Sequence, residues 1–382
     1  MERPEILMTP GPTPVPAVVL LAQGGPFPYH RGPGYTKLLT DVTEGLKRMM
    51  KTENDVVLFA SSGTGGLESV VANLFSPGDK VIVPVAGYFG ERFAGIAKAF
   101  GLDVVQLDFE WGSAVPPEAV AEALQQHADV RAVLVQHSET STGVIHDIEA
   151  IGRVTKEAGA LLTVDAISSL GAVPYEGDAW GIDVGVGGSQ KALSATPGLS
   201  FVSISPAAWK AYEQATCPRF YFDWKKYTEA FAKDGDSPFT PALSLMLGMR
   251  VAIDLYFDEG PEAVLERHRL LSTAVKEGCR ALGLDIAAEF PERAWAVTQV
   301  AAPEGIDGTE LVARCRKDHG VILAPGQGPL KGKVFRIGHL GQYDRLDVLR
   351  GLAAIEMTLG DMGYPVKPGA AVAAAEAVFQ KG

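Results

Sequence analysis

The chain has 382 residues, of which 47% are hydrophobic and 21% charged, a composition typical of a globular protein with more than one core. Its net charge of −12 argues against a nucleic acid or a membrane surface as partner, because no basic face is indicated. The three cysteines, Cys217, Cys279 and Cys315, are far apart in the sequence, so neither a metal site nor a disulfide framework is predicted.

The N-terminal segment is predicted to be an extended arm over residues 1–20, because prolines recur at positions 10, 12, 14 and 16. It lacks the apolar core of a secretory signal, and no apolar stretch in the chain reaches about 18 residues. The expectation is therefore a cytoplasmic protein with no membrane span.

From residue 35 onward, short β-branched strands alternate with helical patterns. Helices are predicted over 35–51, 66–75, 90–100, 117–127 and 148–158, and strands over 55–60, 80–84, 103–107, 131–136, 160–165 and 182–188. This alternation predicts an α/β fold with a mainly parallel sheet that is covered by helices on both faces. In such a sheet, ligands bind at the carboxyl ends of the strands.

The pattern changes near residue 260, after a helix predicted over 242–257. Helices over 261–282 and 309–319 and strands over 296–300 and 333–337 predict a smaller α+β domain, and residues 369–380 are predicted to form a surface helix. The chain is therefore divided into an arm (1–20), a large domain (21–259) and a small C-terminal domain (260–382).

The segment SSGTGG (61–66) is a glycine-rich turn between a predicted strand and a predicted helix. The bare backbone N–H groups of such a turn suit a phosphate, and the hydroxyls of Ser62 and Thr64 add two donors. An ordinary tight turn with a helix cap is an equally good interpretation, because the segment matches neither the P-loop nor the dinucleotide fingerprint.

Asp165 and Lys191 lie at the ends of two successive predicted strands, which would bring them to the same edge of the sheet. A carboxylate at the end of an apolar strand needs a partner, and a lysine there is costly to bury as an ammonium. A helix cap and a lysine that extends to solvent are the alternatives. Together with the glycine-rich turn, however, the pair meets the needs of pyridoxal phosphate: a phosphate site, a carboxylate for the pyridinium nitrogen and an amine for a Schiff base.

Five motifs, in combination and in this order, resemble those of the class V aminotransferases: SSGTGGLE (61–68), SETSTG (138–143), VDAISSLG (164–171), GSQKAL (188–193) and FRIGHLG (335–341). The similarity begins at residue 8 and extends to about residue 360, and it is greatest to the alanine/serine–glyoxylate (serine–pyruvate) branch. It implies the fold-type I architecture of pyridoxal-phosphate enzymes and a homodimer with active sites at the subunit interface.

The resemblance also implies a role for each residue that matches a motif. Lys191 would form the Schiff base and act as general base and acid, and Asp165 would pair with the pyridine nitrogen. The other cofactor-binding residues implied are Ser62, Gly63 and Thr64 at the phosphate, helped by Gln190; Phe89, stacked on the ring; Thr140, beside the ring; and Thr240, which reaches the phosphate of the partner subunit. Phe89 departs from the tryptophan that many relatives have, but stacking needs only an aromatic face.

For the substrate, the resemblance implies that Arg336 binds the α-carboxylate and that the arm around Gly11 closes over it. A planar guanidinium offers two parallel donors to a carboxylate, which agrees with this role. His30 and Arg31 follow a turn and either line the entrance or lie on the surface without a role in the site.

The expected reaction is a two-half transamination that moves an amino group from serine or alanine to glyoxylate or pyruvate. An aspartate, phosphoserine or phosphonate aminotransferase and a lyase of the same class remain open. A cysteine desulfurase would need a cysteine on a mobile loop, and Cys315 lies within a helical pattern instead. A non-catalytic binding protein that kept the fold is the remaining alternative.

Overall fold

The computed structural model describes residues 5–381, in which strands and helices alternate through most of the chain. The strands are β1 (Ile6–Leu7), β2 (Asp55–Phe59), β3 (Lys80–Val85), β4 (Asp103–Asp108), β5 (Val130–Gln136), β6 (Ser138–Glu139), β7 (Val144–Ile145), β8 (Leu161–Asp165), β9 (Val184–Gly188), β10 (Ser200–Ile204), β11 (Val297–Ala301), β12 (Val321–Ile322), β13 (Ala324–Pro325) and β14 (Val334–Gly338). The helices are α1 (Ala17–Gln23), α2 (Pro33–Met50), α3 (Gly63–Leu74), α4 (Tyr88–Ala99), α5 (Pro117–Gln126), α6 (Ile148–Glu157), α7 (Pro206–Tyr212), α8 (Trp224–Asp234), α9 (Leu243–Glu259), α10 (Pro261–Ala281), α11 (Gly308–His319), α12 (Arg345–Asp361) and α13 (Ala370–Phe379).

The central sheet has seven strands in the order β2-β10-β9-β8-β5-β3-β4. Strands β9, β8, β5, β3 and β4 pair in parallel with one another, whereas β10 is antiparallel to both β2 and β9. The mainly parallel sheet predicted from the sequence is therefore confirmed. The antiparallel strand β10 was not predicted, and neither were the helices α7, α8 and α12.

Alternate residues of the central strands pack into two different hydrophobic cores, as a period of two residues requires. On β3, for example, Ile82 packs into the core that also contains residues of α2, α5, α6 and α9. Its neighbours Val81 and Val83 pack into the core that contains residues of α3, α4, α7 and α8. Both faces of the sheet are thus covered by helices, and its carboxyl edge stays free for a site.

A second, three-stranded antiparallel sheet in the order β11-β14-β13 lies in the C-terminal part of the chain. A separate hydrophobic core joins this sheet to α10, α11, α12 and α13. Strand β1 pairs in parallel with β12, and Met8 packs into the same C-terminal core. The division of the chain into domains at residue 260 stays a prediction.

Two helices begin earlier than the sequence pattern indicated, because glycine-containing segments that read as turns adopt helical backbone. Helix α3 starts at Gly63, not at residue 66, and α4 starts at Tyr88, not at residue 90. The extended arm also ends earlier than predicted, since α1 begins directly after Pro16. Val19 is buried in the core shared with α9, and this apolar packing favours a helix over extended backbone.

Within residues 5–381, no helix combines the length and the apolar character that crossing a membrane requires. In the same range, no group of three or more histidine, cysteine, aspartate or glutamate side chains is arranged to hold a metal ion.

Candidate active site

The strand ends bring Asp165 and Lys191 to one edge of the central sheet. Asp165 is the last residue of β8, and its parallel neighbour β9 ends at Gly188, three positions before Lys191. A cavity of about 310 Å³ lies at this edge. Nearly all the residues predicted for the site line it: Gly11, Ser62, Gly63, Thr64, Phe89, Thr140, Asp165, Gln190 and Lys191.

The Lys191 amine is held beneath the N-terminal arm. Its Nζ donates a hydrogen bond to the carbonyl of Pro10 at 2.7 Å. Burial lowers the pKa of Lys191 to about 8, against the opposing effect of the nearby Asp165 carboxylate, while Arg336 and Arg92 lower it further. Roughly a tenth of this amine is therefore uncharged at pH 7, far more than for an ordinary lysine, and the neutral form is the one that acts as nucleophile and base.

Only a glycine fits at position 11 above this lysine. Gly11 has a φ of 134°, and a Cβ there would lie 2.7 Å from Nζ of Lys191. Thr13 fixes the same segment, because its hydroxyl donates to the Lys191 carbonyl at 2.8 Å. The arm is thus bound directly to the loop that carries the lysine.

The Asp165 carboxyl is 5% exposed and accepts a hydrogen bond from the backbone N–H of Ile167 at 2.9 Å. Burial raises the pKa of Asp165 to about 6, although the Ile167 N–H and the charge of Lys191 oppose the shift. At pH 7 the group is therefore mostly a carboxylate, the form that a protonated pyridine nitrogen needs as its partner.

The first turn of α3 forms the candidate phosphate site. Ser62 is the N-cap residue, and its side chain makes no capping hydrogen bond. The opening N–H groups of a helix have no partner within it and carry partial positive charge, so they are available to an anion. Gln190 lines the same cavity, and its amide NH2 can donate to an anion. These donors fit the phosphate end of pyridoxal phosphate.

Arg336, on β14, is 6% exposed and donates only to backbone carbonyls. Its Nε and Nη2 reach the carbonyl of Pro325 at 3.2 and 3.0 Å, and its Nη1 reaches that of Thr140 at 3.0 Å. Burial lowers the pKa of Arg336 to about 10, which leaves it cationic at neutral pH. A fixed guanidinium with no carboxylate bonded to it among residues 5–381 suits a substrate carboxylate.

The glycine-rich turn and the lysine were found from the sequence, but Glu139 was not. This buried residue on β6 accepts hydrogen bonds from the backbone N–H groups of Phe89 and Gly90, each at 3.0 Å, and from Ser141. Burial raises the pKa of Glu139, although these donors oppose the shift. The carboxylate sits at the positive N-terminus of α4 and holds the turn that presents Phe89 to the cavity. The only signal in the sequence was an acidic residue inside SETSTG, with nothing to indicate its partner.

Glu139→Ala is expected to lower the free energy of unfolding by about 2–4 kcal/mol, because two buried N–H groups lose a charged acceptor. Glu139→Gln keeps the shape and one acceptor oxygen, so it should recover roughly half of that loss. Equilibrium denaturant unfolding measures both, and Glu149→Ala, at an exposed position of α6, is the matched control. If Glu139→Ala unfolded at the same midpoint as the unmodified protein, Glu139 would not be what holds the first turn of α4.

Two further side chains of the cavity were also missed. Ser168, three residues after Asp165, forms a hydrogen bond with the Thr140 hydroxyl. Arg92, on α4, lies beside Thr64 and donates to its hydroxyl at 3.2 Å. The segment AGYFGER (86–92) contains Arg92, but its helical position gave no indication that the side chain turns towards the cavity.

Thr240 lies apart from Lys191 within one chain. It lines a separate cavity of about 400 Å³, whose walls come mainly from α2, β2 and α8. Arg31 forms an ion pair with Asp236 at 2.6 Å near that second cavity. The role of Thr240 at the phosphate of a partner subunit stays a prediction, as do the roles of His30 and Arg31.

The family profile described as aminotransferase class-V matches residues 26–328 of the chain. The protein belongs to the class V aminotransferases. This confirms the resemblance inferred from the five motifs, and with it a transaminase that uses pyridoxal phosphate. The fold-type I architecture is confirmed by solved structures. The chain superimposes on ureidoglycine–glyoxylate aminotransferase of Bacillus subtilis with a TM-score of 0.95 at 30% identity, covering 100% of this chain and 99% of that one.

Curated relatives of this class V aminotransferase carry several names. A protein named soluble hydrogenase, small subunit, from Synechococcus sp. is 42% identical over 99% of both chains. The L-aspartate–glyoxylate aminotransferase of Paracoccus denitrificans is 37% identical over 98% of this chain and 96% of that one. The serine–glyoxylate aminotransferase of Methylorubrum extorquens has the same identity and coverage.

The cysteines do not support the desulfurase alternative. All three are buried and unbonded to one another. Burial raises the pKa of Cys279 to about 12 and that of Cys315 to about 11, and it raises the pKa of Cys217 as well. A thiol in these surroundings is neither exposed nor ionised, so it cannot serve as the nucleophile of that reaction.

Proposed function

We propose that this class V transaminase moves the amino group of a small L-amino acid, serine or alanine, to glyoxylate or pyruvate. The observation that carries the proposal is a cavity lined by both Asp165 and Lys191, with the Arg336 guanidinium bonded to the carbonyl of Thr140, another residue of its lining. At neutral pH Asp165 is mostly a carboxylate and Arg336 is cationic, and burial lowers the pKa of Lys191 to about 8, which makes its neutral form accessible.

Each residue has a separable task in this proposal. Bound at the cavity, pyridoxal phosphate supplies the electron sink that makes the substrate Cα acidic. Asp165 holds a proton at the pyridine nitrogen, and Ser62, Gly63, Thr64 and Gln190 hold the phosphate. Nζ of Lys191 accepts the Cα proton of the amino donor and later returns it, while Arg336 orients the α-carboxylate. The arm at Gly11 excludes water from the lysine.

The size of the cavity supports a small donor. Its volume of about 310 Å³ has to hold both the cofactor and the substrate. Small-molecule sites span about 300–1,000 Å³, so this one is at the lower limit. Both relatives at 37% identity are named for glyoxylate, which supports glyoxylate as the acceptor. One of them is named for serine as the donor and the other for aspartate. Aspartate is therefore the competitor that an experiment has to exclude.

The assembly and compartment belong to the same proposal. We infer a homodimer in which Thr240 of one subunit completes the phosphate site of the other, in a cytoplasmic enzyme with an arm, a large domain and a small domain. Exposed apolar side chains at the second cavity support such an interface: Phe231 lines the cavity, and Phe220 contacts Phe239, which also lines it. Sedimentation of the purified protein tests the dimer.

A panel of donors tests the substrate assignment. Serine, alanine and aspartate are each supplied with glyoxylate or with pyruvate, and kcat/KM is measured for every pair. Serine or alanine with glyoxylate is expected to exceed aspartate by at least about tenfold, because a second carboxylate buried without a partner is costly. A preference for aspartate of similar size would contradict the proposed donor while leaving the transaminase intact.

A further inference from the structure

The predicted phosphate ligands of this site lack a positive charge. Ser62, Gly63, Thr64 and Gln190 are all neutral groups, and the N-terminus of α3 contributes only about half an elementary charge. A phosphate monoester carries about −1.5 to −2 charges at pH 7. Because the protein has a net charge of −12, the compensating cation has to be local.

Arg92 is a cation placed at this end of the cavity. Its Nη1 donates to the Thr64 hydroxyl at 3.2 Å, within the turn assigned to the phosphate. Among residues 5–381, no carboxylate forms an ion pair with it, whereas seven other arginines of the described chain are paired in this way. The Thr64 hydroxyl accepts only one hydrogen bond from Arg92, so most of the N–H donors of its guanidinium stay available to a ligand.

The position of Arg92 is fixed by the same helix that presents Phe89. The guanidinium lies 4.9 Å from the centre of the Phe89 ring and 5.2 Å from that of Tyr88. Its charge also acts on both Asp165 and Lys191, whose pKa values it lowers. Arg92 therefore lies within electrostatic reach of the whole site, although its hydrogen bond places it at the phosphate end.

We propose that Arg92 is a ligand of the cofactor phosphate and supplies the cation that the neutral ligands lack. This inference rests on the proposed cofactor site around Lys191. It assigns Arg336 and Arg92 to two different anions, the substrate carboxylate and the cofactor phosphate. The competing assignment gives Arg92 to the side-chain carboxylate of a dicarboxylic donor.

The test compares the affinity of the cofactor-free protein for pyridoxal phosphate and for unphosphorylated pyridoxal, measured by absorbance titration. Arg92→Gln is expected to raise the Kd of pyridoxal phosphate about 10- to 100-fold, because a hydrogen-bonded charge on the phosphate is lost. The Kd of pyridoxal should change less than about twofold, since that ligand lacks the phosphate. Arg92→Lys should fall between, because an ammonium keeps the charge without the planar fork.

Arg153→Gln, at an exposed position of α6, is the matched control and should bind both ligands as the unmodified protein does. Equal losses for the two ligands would overturn the proposal, because Arg92 would then act through packing on Phe89. Unchanged affinity for both, with a higher KM for aspartate, would overturn it in favour of the substrate carboxylate. An unmodified protein that binds neither ligand would overturn the cofactor site as well.

Discussion

Lys191→Ala is expected to lower kcat for transamination by about 10⁴-fold or more, because the nucleophile and the general base are lost together. The same variant should also lose the visible absorbance of the protein-bound cofactor. Steady-state kinetics with the best donor and acceptor measure the first effect, and a spectrum of the purified protein measures the second.

The matched control for this variant is Lys156→Ala, which removes an exposed lysine on α6. It should retain the kcat and the spectrum of the unmodified protein. Because Lys191 also bonds to Pro10, thermal unfolding of both variants is needed to separate a lost base from a loosened arm. Near-normal turnover by a folded Lys191→Ala protein would remove the lysine from the mechanism.

Arg336→Ala is expected to raise KM for the amino donor and for the keto acid by about 100-fold each, because both carry the α-carboxylate that the guanidinium binds. The effect on kcat should be much smaller, since the lysine and the carboxylate stay in place. Full kinetic titrations of both substrates measure the two parameters separately.

Arg336→Lys should raise both KM values less than Arg336→Ala does but should not restore them, because a lysine cannot offer two parallel donors to the carboxylate. Arg316→Ala is the matched control, since Arg316 is an exposed arginine paired with Glu5 on the surface. A fall in kcat with both KM values unchanged would contradict an anchoring role and would place Arg336 at the chemical step.

The position of the site could be predicted from the sequence because local pattern and topology agree there. Strand ends at Asp165 and just before Lys191, together with a glycine-rich turn at residues 61–66, are readable from short segments. The rule that parallel strands bring their carboxyl ends to one edge then placed these segments together. The structure has the same arrangement, with Arg336 held against the Thr140 carbonyl from the second sheet.

The parts that were missed depend on contacts between distant segments. Glu139 bonds to Phe89 and Gly90, about fifty positions earlier in the chain, and no local pattern indicates that pairing. Arg92 reaches Thr64 from a neighbouring helix in the same way. Strand β10 (SFVSI) is short and contains two serines although it is fully buried, so its sequence shows neither a clear apolar run nor a clear alternation that would predict a strand.

Helix boundaries were displaced for a related reason. Gly63 and Tyr88 begin their helices at segments rich in residues that also suit turns, so propensity alone does not separate the two states. At α4 the Glu139 carboxylate fixes where the helix begins, because it accepts hydrogen bonds from N–H groups of the first turn. A helix start that depends on a buried side chain elsewhere is not readable from its own residues.

The most direct test of the central claim follows the amino nitrogen itself. The purified protein, supplied with pyridoxal phosphate, is given L-serine with an isotope-labelled amino group and unlabelled glyoxylate, and the products are analysed by mass spectrometry. The account predicts glycine that carries the label, with the keto acid of serine formed in equal amount. Release of the label as free ammonia, or no glycine from any donor of the panel, would contradict it.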